Sequence, residues 1–147
     1  MVKYITFKVN GKLVQNFTVL ATAGNHSIVM DESKELKGDD FGMNPIETFL
    51  SALAGCFLIT LRFTAASMNV NISEANAELE GEIDPRGFMG VEGVYAGLQN
   101  VKLKLTVKSS STEEKIRSLL ELVENRCPVN STLKKGINVE VTFEKTP

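Results

Sequence analysis

The feature that most constrains this 147-residue chain is a helix-length segment in its middle that has no polar face. Between Phe49 and Leu61 only two side chains are polar and none is charged. The preceding Asn44-Pro45-Ile46-Glu47 is typical of a helix start, with Asn as the N-cap and Pro at the first helical position. We therefore predict a helix from Asn44 to about Asn69. A helix that is apolar on all sides must be covered on all sides, and a second copy of the chain is the simplest cover, which favours a homodimer.

Composition excludes several other kinds of partner. The uncharged stretch of 13 residues is shorter than the roughly 20 that a bilayer span needs. The net charge of −2 argues against a nucleic acid or an anionic membrane surface as the main partner. Met1–Asn10 alternates like a strand and lacks the apolar run of a signal peptide. We expect a single soluble domain over residues 1–147, located in the cytoplasm.

Alternation of apolar and polar residues predicts six strands, which we expect to be antiparallel neighbours. Asn10-Gly11 separates the first two and is a strong signal for a two-residue hairpin turn. Polar or glycine-rich loops are expected at Asp31–Met43 and Asp84–Asn100. The predicted strands are Val2–Val9, Lys12–Leu20, His26–Met30, Ile72–Ile83, Val101–Val107 and Ile137–Phe143.

Two shorter helical segments complete the predicted order. Ser111-Thr112-Glu113-Glu114 resembles a capping box and opens an amphipathic helix that continues to about Arg126. Pro128 then starts a short helical turn that closes near Gly136. The resulting order, βββ-α-ββ-α-β, predicts an α+β fold with an antiparallel sheet and a long buried central helix.

The two cysteines are the residues best suited to chemistry. With one histidine, His26, they are too few and too widely spaced for a zinc site, so we expect no metal. Cys56 lies in the middle of the predicted helix and is interpreted either as a core side chain or as a thiol in an apolar pocket. Cys127 follows Arg126 and precedes Pro128 at a helix start, and both features favour a thiolate. A nucleophile and a resolving thiol form one hypothesis for the pair.

Several segments carry a wider resemblance. Asn44 to Leu50, Ala52 to Cys56, Arg126 to Val129 and the upstream His26 to Asp31 are together similar to the OsmC/Ohr family of thiol peroxidases. The resemblance implies an OsmC-like fold and an intertwined homodimer with active sites between subunits. It also implies Cys56 as the peroxidatic thiol and Cys127 as the resolving thiol. Organic hydroperoxides would be the substrates, an external dithiol the electron donor, and neither metal nor flavin would be needed.

The charged residues of that family have approximate counterparts in this chain. No Arg precedes Arg62, so the N-terminal Arg that pairs with the thiolate is missing, and Arg86 is the candidate replacement. Its alternative is an exposed Arg that pairs with Asp84 in a turn. The family's Glu directly follows the Pro, whereas Glu47 lies one position later. Glu47 is therefore a candidate catalytic carboxylate or, alternatively, the capping partner of Asn44.

Two functions follow from these observations. The first is a cysteine-based peroxidase in which a Cys56 sulfenic acid is resolved by Cys127. The second is a non-catalytic OsmC-like dimer that binds a small apolar ligand or acts as a thiol redox sensor. The missing N-terminal Arg favours the second.

Overall fold

A computed structural model, which describes residues 1–146, confirms the predicted α+β class. The chain divides into two compact units, residues 1–50 and the residues from 51 onward. The described residues form two small antiparallel sheets, so the prediction of a single sheet is wrong. The elements are β1 Asn10–Gln15, β2 Thr18–Ala23, β3 His26–Met30, α1 Pro45–Ser67, β4 Glu74–Glu82, α2 Pro85–Phe88, β5 Asn100–Lys108, α3 Glu113–Arg126 and α4 Pro128–Lys135.

The first sheet is a meander in the order β1-β2-β3. The predicted turn at Asn10-Gly11 is wrong, because both residues belong to β1 and pair with Thr22 and Ala21. The chain reverses instead at Asn16, whose φ is 41°. Asn tolerates the left-handed region better than most residues with a side chain, so Asn16 was a second candidate for the turn.

The loop after β3 is organised by one buried carboxylate. Asp31 is 1% exposed and accepts a hydrogen bond from the Thr18 hydroxyl at 2.9 Å. The backbone N–H groups of Glu32, Asp39 and Phe41 donate to the same carboxylate at 2.7, 3.4 and 3.3 Å. Burial raises the pKa of Asp31, but these four hydrogen bonds outweigh burial and hold the pKa below its usual value. The loop therefore has a polar centre in place of an apolar one.

Helix α1 follows the prediction closely. The Asn44 side chain accepts from the Glu47 N–H, and the Glu47 carboxylate accepts from the Asn44 N–H, both at 2.9 Å, which is a capping box. With 23 residues and a mean hydropathy of 1.7, α1 is by length and composition long and apolar enough to cross a bilayer. The uncharged run of 13 residues by itself is too short for such a span. One face is buried, whereas Phe49, Ile59 and Phe63 are 39%, 61% and 76% exposed. The described chain therefore covers only part of α1.

The second unit contains the apolar core. β4 and β5 pair from Glu74↔Lys108 to Glu82↔Asn100, with charged residues on one face and small or aliphatic residues on the other. Helix α3 begins one residue later than predicted, with the Thr112 hydroxyl accepting from the Lys115 N–H at 3.4 Å. The buried cluster comprises Leu53, Phe57, Leu61, Ala65, Val70, Ile72, Leu119, Val123 and Cys127.

The two terminal segments form no strands, so the predictions for Val2–Val9 and Ile137–Phe143 are wrong for the single chain. Their alternation is intact, but a strand requires a hydrogen-bonded neighbour and neither segment has one among residues 1–146. Phe7 and Val141 are 87% and 85% exposed. The observed order is therefore βββ-α-β-α-β-αα.

Candidate active site

The fold brings together the two cysteines, which lie 71 positions apart in the sequence. The Sγ atoms of Cys56 and Cys127 are 3.2 Å from each other, and the Cys127 thiol donates toward the Cys56 sulfur. Both are free thiols. A disulfide bond is about 2.05 Å long, so the sulfurs need to approach by only about 1 Å to bond.

Two buried stripes bring the sulfurs to this distance. On α1, Leu53 and Phe57 are 3% and 6% exposed, and Cys56 lies beside them at the edge of the stripe. On α3, Leu119 and Val123 are completely buried, and Cys127 continues the same spacing of four residues just beyond the last helical residue. Burial of each stripe against the same core therefore fixes where each sulfur lies.

The backbone of Cys127 is held between two helices. Its N–H donates to the Val123 carbonyl at the end of α3, and its carbonyl accepts from the Ser131 N–H at the start of α4, both at 2.9 Å. Pro128 disfavours helical geometry in the residue before it, and Cys127 accordingly has φ −67° and ψ 112°. The sulfur is thus attached to a backbone that takes part in both helix ends.

The two thiols differ in exposure and in the effect of their surroundings. Cys127 is 0% exposed, whereas Cys56 is partly exposed. Burial raises the pKa of the Cys127 thiol, and the hydrogen bond that it donates to Cys56 raises it further. The N–H groups of Asn130 and Val129 lie near the sulfur and oppose this rise, but neither makes a full capping hydrogen bond. The prediction that the surroundings of Cys127 favour a thiolate is therefore wrong, because burial outweighs the helix start.

The charged candidates are engaged with near neighbours in sequence. The Arg86 guanidinium donates to both oxygens of Asp84, with its Nε at 3.0 and 3.1 Å, and the Arg86 N–H is capped by the same carboxylate. Arg86 lowers the pKa of Asp84, and Asp84 raises that of Arg86. Glu47 occupies the capping box with Asn44 described above. The catalytic roles of Arg86 and Glu47 stay predictions.

Arg62 bonds to the backbone beyond the end of α1. Its guanidinium donates to the Ile72 carbonyl at 3.0 Å and lines an open cleft of about 180 Å³ with Ser73 and Glu74. Within residues 1–146 no three His, Cys, Asp or Glu side chains cluster closely enough to hold a metal ion.

Sequence reasoning missed the residues that place Cys127. The signal was present, because Leu119, Val123 and Cys127 recur at intervals of four and so share one helix face. The predicted amphipathic helix ends at about Arg126, one residue short of Cys127. Extending it by one step would have predicted a buried Cys127.

Comparison with known proteins identifies related sequences. A family model described as OsmC-like protein matches residues 37–142. The chain is 26% identical over 140 residues to the hydroperoxide reductase of Mycoplasma genitalium, covering 95% of each protein.

Solved structures show the same fold. The OsmC like protein from Mycoplasma pneumoniae superposes with a TM-score of 0.79 at 22% identity, covering 90% of this chain and 89% of that one. The organic hydroperoxide resistance protein OsmC from Legionella pneumophila gives 0.66 at 17% identity, covering 90% and 92%. Because the family match spans well over half of the sequence and includes both cysteines, the chain belongs to the OsmC-like family.

Proposed function

We propose that this protein is a cysteine-based peroxidase that reduces organic hydroperoxides. The observation that carries the proposal is the 3.2 Å approach of Cys56 and Cys127 in a core that the fold holds in place. The partial exposure of Cys56 supports its assignment as the thiol that meets the peroxide. The name of the Mycoplasma genitalium relative, hydroperoxide reductase, supports a hydroperoxide as the substrate.

The reaction would proceed in two covalent steps. The Cys56 thiolate attacks one peroxide oxygen, the O–O bond breaks, and the alkoxide leaves as an alcohol after taking a proton. Cys56 is then a sulfenic acid. The Cys127 sulfur attacks that of Cys56, water leaves, and a disulfide forms. An external dithiol returns two electrons and two protons.

The apolar surroundings of Cys56 support a preference for alkyl peroxides over hydrogen peroxide. Each methylene that becomes buried on binding contributes about 0.8 kcal/mol. Leu53 and Phe57 are the buried neighbours on the same helix. Arg86 is proposed as the cation that favours the thiolate, and Glu47 as a further polar group of the site. Both would have to exchange their present partners, Asp84 and Asn44, for a contact at the site.

A homodimer is part of the proposal. Ile5, Phe7 and Val9 expose 78%, 87% and 70% of their surface, and four alternate residues from Ile137 to Phe143 expose 75% to 93%. Each segment is a strand pattern without a neighbour, and α1 keeps an uncovered apolar side. Monomeric proteins rarely expose apolar surface on this scale. A second copy would pair the segments as strands and cover the rest of α1.

A comparison of three proteins tests the peroxidase. Wild type, Cys56→Ser and Cys127→Ser are reduced, mixed with cumene hydroperoxide or hydrogen peroxide, and assayed for peroxide loss with dithiothreitol as the donor. We expect turnover in wild type, faster with the organic peroxide, and none above background in Cys56→Ser. Without dithiothreitol, Cys127→Ser should consume one equivalent of peroxide and stop as a Cys56 sulfenic acid, which excess peroxide then overoxidises. Undiminished turnover in Cys56→Ser would refute the proposal.

The non-catalytic binding module is favoured by one observation, which is that Arg86 and Glu47 are both engaged elsewhere. Alkylation of the native protein at neutral pH separates the two functions. Fast modification of Cys56 alone supports the enzyme, and slow modification supports the module. The two free thiols fit the reducing cytoplasm, where we propose that the protein acts.

A further inference from the structure

The sulfur of Cys56 has one closed side and one open side. Side chains of an α-helix lean toward its N-terminus, so this sulfur lies over the preceding turn, between Leu53 and Ala52. At about 100° per residue, Leu53 is about 60° to one side of Cys56 and Ala52 about 40° to the other. Leu53 is 3% exposed and belongs to the core, whereas Ala52 is exposed. The open side of the sulfur therefore lies above Ala52.

Cys127 closes the opposite approach. Its sulfur is 3.2 Å from that of Cys56, and the residue is 0% exposed within the same core as Leu53. A second copy of the chain would cover surface and would open no route through this core. A molecule that reacts with Cys56 must therefore approach from the side of Ala52, in a single chain and in the proposed dimer alike.

The side chain at position 52 is small, whereas the nearest exposed apolar side chains along this side of α1 are large. These are Phe49 and Ile59, which are 39% and 61% exposed. They are ten positions apart in the sequence, or about 15 Å along the helix axis. Ala52 lies between them and carries only a methyl group. It therefore leaves room beside the Cys56 sulfur, with a large apolar side chain at each end.

We infer that this room holds the alkyl group of the hydroperoxide and that Ala52 sets the largest group that the site admits. The inference rests on the proposed function, which supplies the peroxide. The carbon of an organic hydroperoxide is only two bonds from the terminal oxygen that Cys56 attacks, so its substituents meet the side chain at position 52. A tertiary carbon fits beside a methyl group and clashes with a larger side chain. Hydrogen peroxide carries no such group and is insensitive to the residue at this position.

Two maleimides that differ only in size test the inference on the thiol itself. Folded Cys127→Ser protein, in which Cys56 is the one cysteine, is modified with N-methylmaleimide or N-pyrenylmaleimide. The ratio of the two rate constants cancels any change in the thiolate fraction of Cys56. We expect Ala52→Leu to lower the pyrenyl-to-methyl ratio at least about tenfold, because a few methylene groups in an apolar site discriminate by this factor. Ala52→Val should give an intermediate ratio, and it carries the test if the leucine variant does not fold.

Ala66→Leu is the matched control. It makes the same substitution at another exposed position of α1, about 15 Å along the helix axis from Cys56. Its pyrenyl-to-methyl ratio should equal that of the Cys127→Ser parent. An unchanged ratio in Ala52→Leu, or an equal fall in both leucine variants, would overturn the inference.

Peroxide kinetics extend the test to the substrate. With Cys127 restored, Ala52→Leu should lower kcat/KM for cumene hydroperoxide at least about tenfold relative to that for hydrogen peroxide. An equal change for both peroxides would count against the inference. Absence of peroxide turnover in the wild type would refute the proposed function alone, because the maleimide ratio does not depend on that activity.

Discussion

The two compact units of the chain are built around different kinds of centre. From residue 51 onward, nine buried residues form a continuous apolar core that includes Cys127. In residues 1–50 the buried side chains are Thr18, Ala21 and Asp31. The Asp31 carboxylate accepts four hydrogen bonds there. One unit is held by packing, and the other by hydrogen bonds and short strand pairs.

This difference indicates which part of the function a single chain can supply. The sulfur pair lies wholly in the unit that has its own core, so the Cys56–Cys127 disulfide is expected to form within one copy. The first unit lacks an apolar core and exposes Ile5, Phe7 and Val9. Its stability should therefore depend on a second copy, and the two units should respond differently to the same kind of substitution.

The largest effect is expected in the core of the second unit. Leu119→Ala removes a completely buried side chain and should lower the free energy of unfolding by about 2–5 kcal/mol, because a cavity is left next to Val123. Urea denaturation measures the change. Leu133→Ala is the control, since Leu133 is 39% exposed and should lose less than about 1 kcal/mol. Equal losses would show that this cluster is not the stabilising core.

The next effect concerns the unpaired terminal segments. Phe7→Lys should weaken the dimer at least about 100-fold, because it places a charge on the apolar face that we expect the partner to bury. Sedimentation or light scattering at several concentrations measures the dissociation constant. The folded content of the monomer should stay close to that of wild type, because Phe7 is 87% exposed in the single chain.

Adjacent residues on the opposite face provide the control. Thr6→Lys adds the same charge to the polar side of the same segment and should leave the dimer intact. Val141→Lys and Thr142→Lys form a second matched pair at the other end of the chain. If both members of a pair behave alike, or if wild type is monomeric, the terminal segments do not hold two copies together.

A smaller effect tests the proposed cation. In a Cys127→Ser background, Arg86→Ala should slow alkylation of Cys56 by iodoacetamide about tenfold at pH 7, because a nearby cation favours the thiolate. Arg117→Ala is the control, since Arg117 pairs with Glu113 on the surface of α3. Unchanged alkylation in Arg86→Ala would leave Arg86 as the turn partner of Asp84 and remove it from the site.

The smallest effect is the pH dependence of the first unit. Because the pKa of Asp31 is lowered on folding, its carboxylate stabilises the fold above its usual value of 3.8, and this stabilisation is lost as the pH falls through the folded value. The difference in unfolding free energy between wild type and Asp31→Asn should therefore be constant near neutrality and shrink below pH 3.8. Asp40→Asn, in the same loop, serves as the control. A difference that grows toward acid would contradict the assignment.

The sequence predicted those elements whose determinants are local. The capping box at Asn44 and the alternation of β4 and β5 appear where expected, because N-caps and half-buried strands depend on nearby residues. The terminal strands fail as predictions because their pattern is local but their partner is not. The turn at Asn16 was missed because two Asn residues competed for it.

The candidate site was predictable in its residues but not in its geometry. The resemblance to the family named both cysteines, yet a separation of 71 positions fixes no distance between sulfurs. The burial of Cys127 was not predicted either. Its place at a helix start favoured a thiolate, whereas Cys127 is completely buried together with Leu119 and Val123. Long-range packing of α1 against α3 decided both points.

The covalent product of one equivalent of organic hydroperoxide tests the central claim most directly. Reduced wild-type protein is mixed with cumene hydroperoxide, alkylated in denaturant, and examined by intact and peptide mass spectrometry. The account predicts that both thiols disappear together into an intramolecular Cys56–Cys127 disulfide. A Cys56 sulfinic acid with Cys127 still free, or a disulfide between two chains, would contradict it.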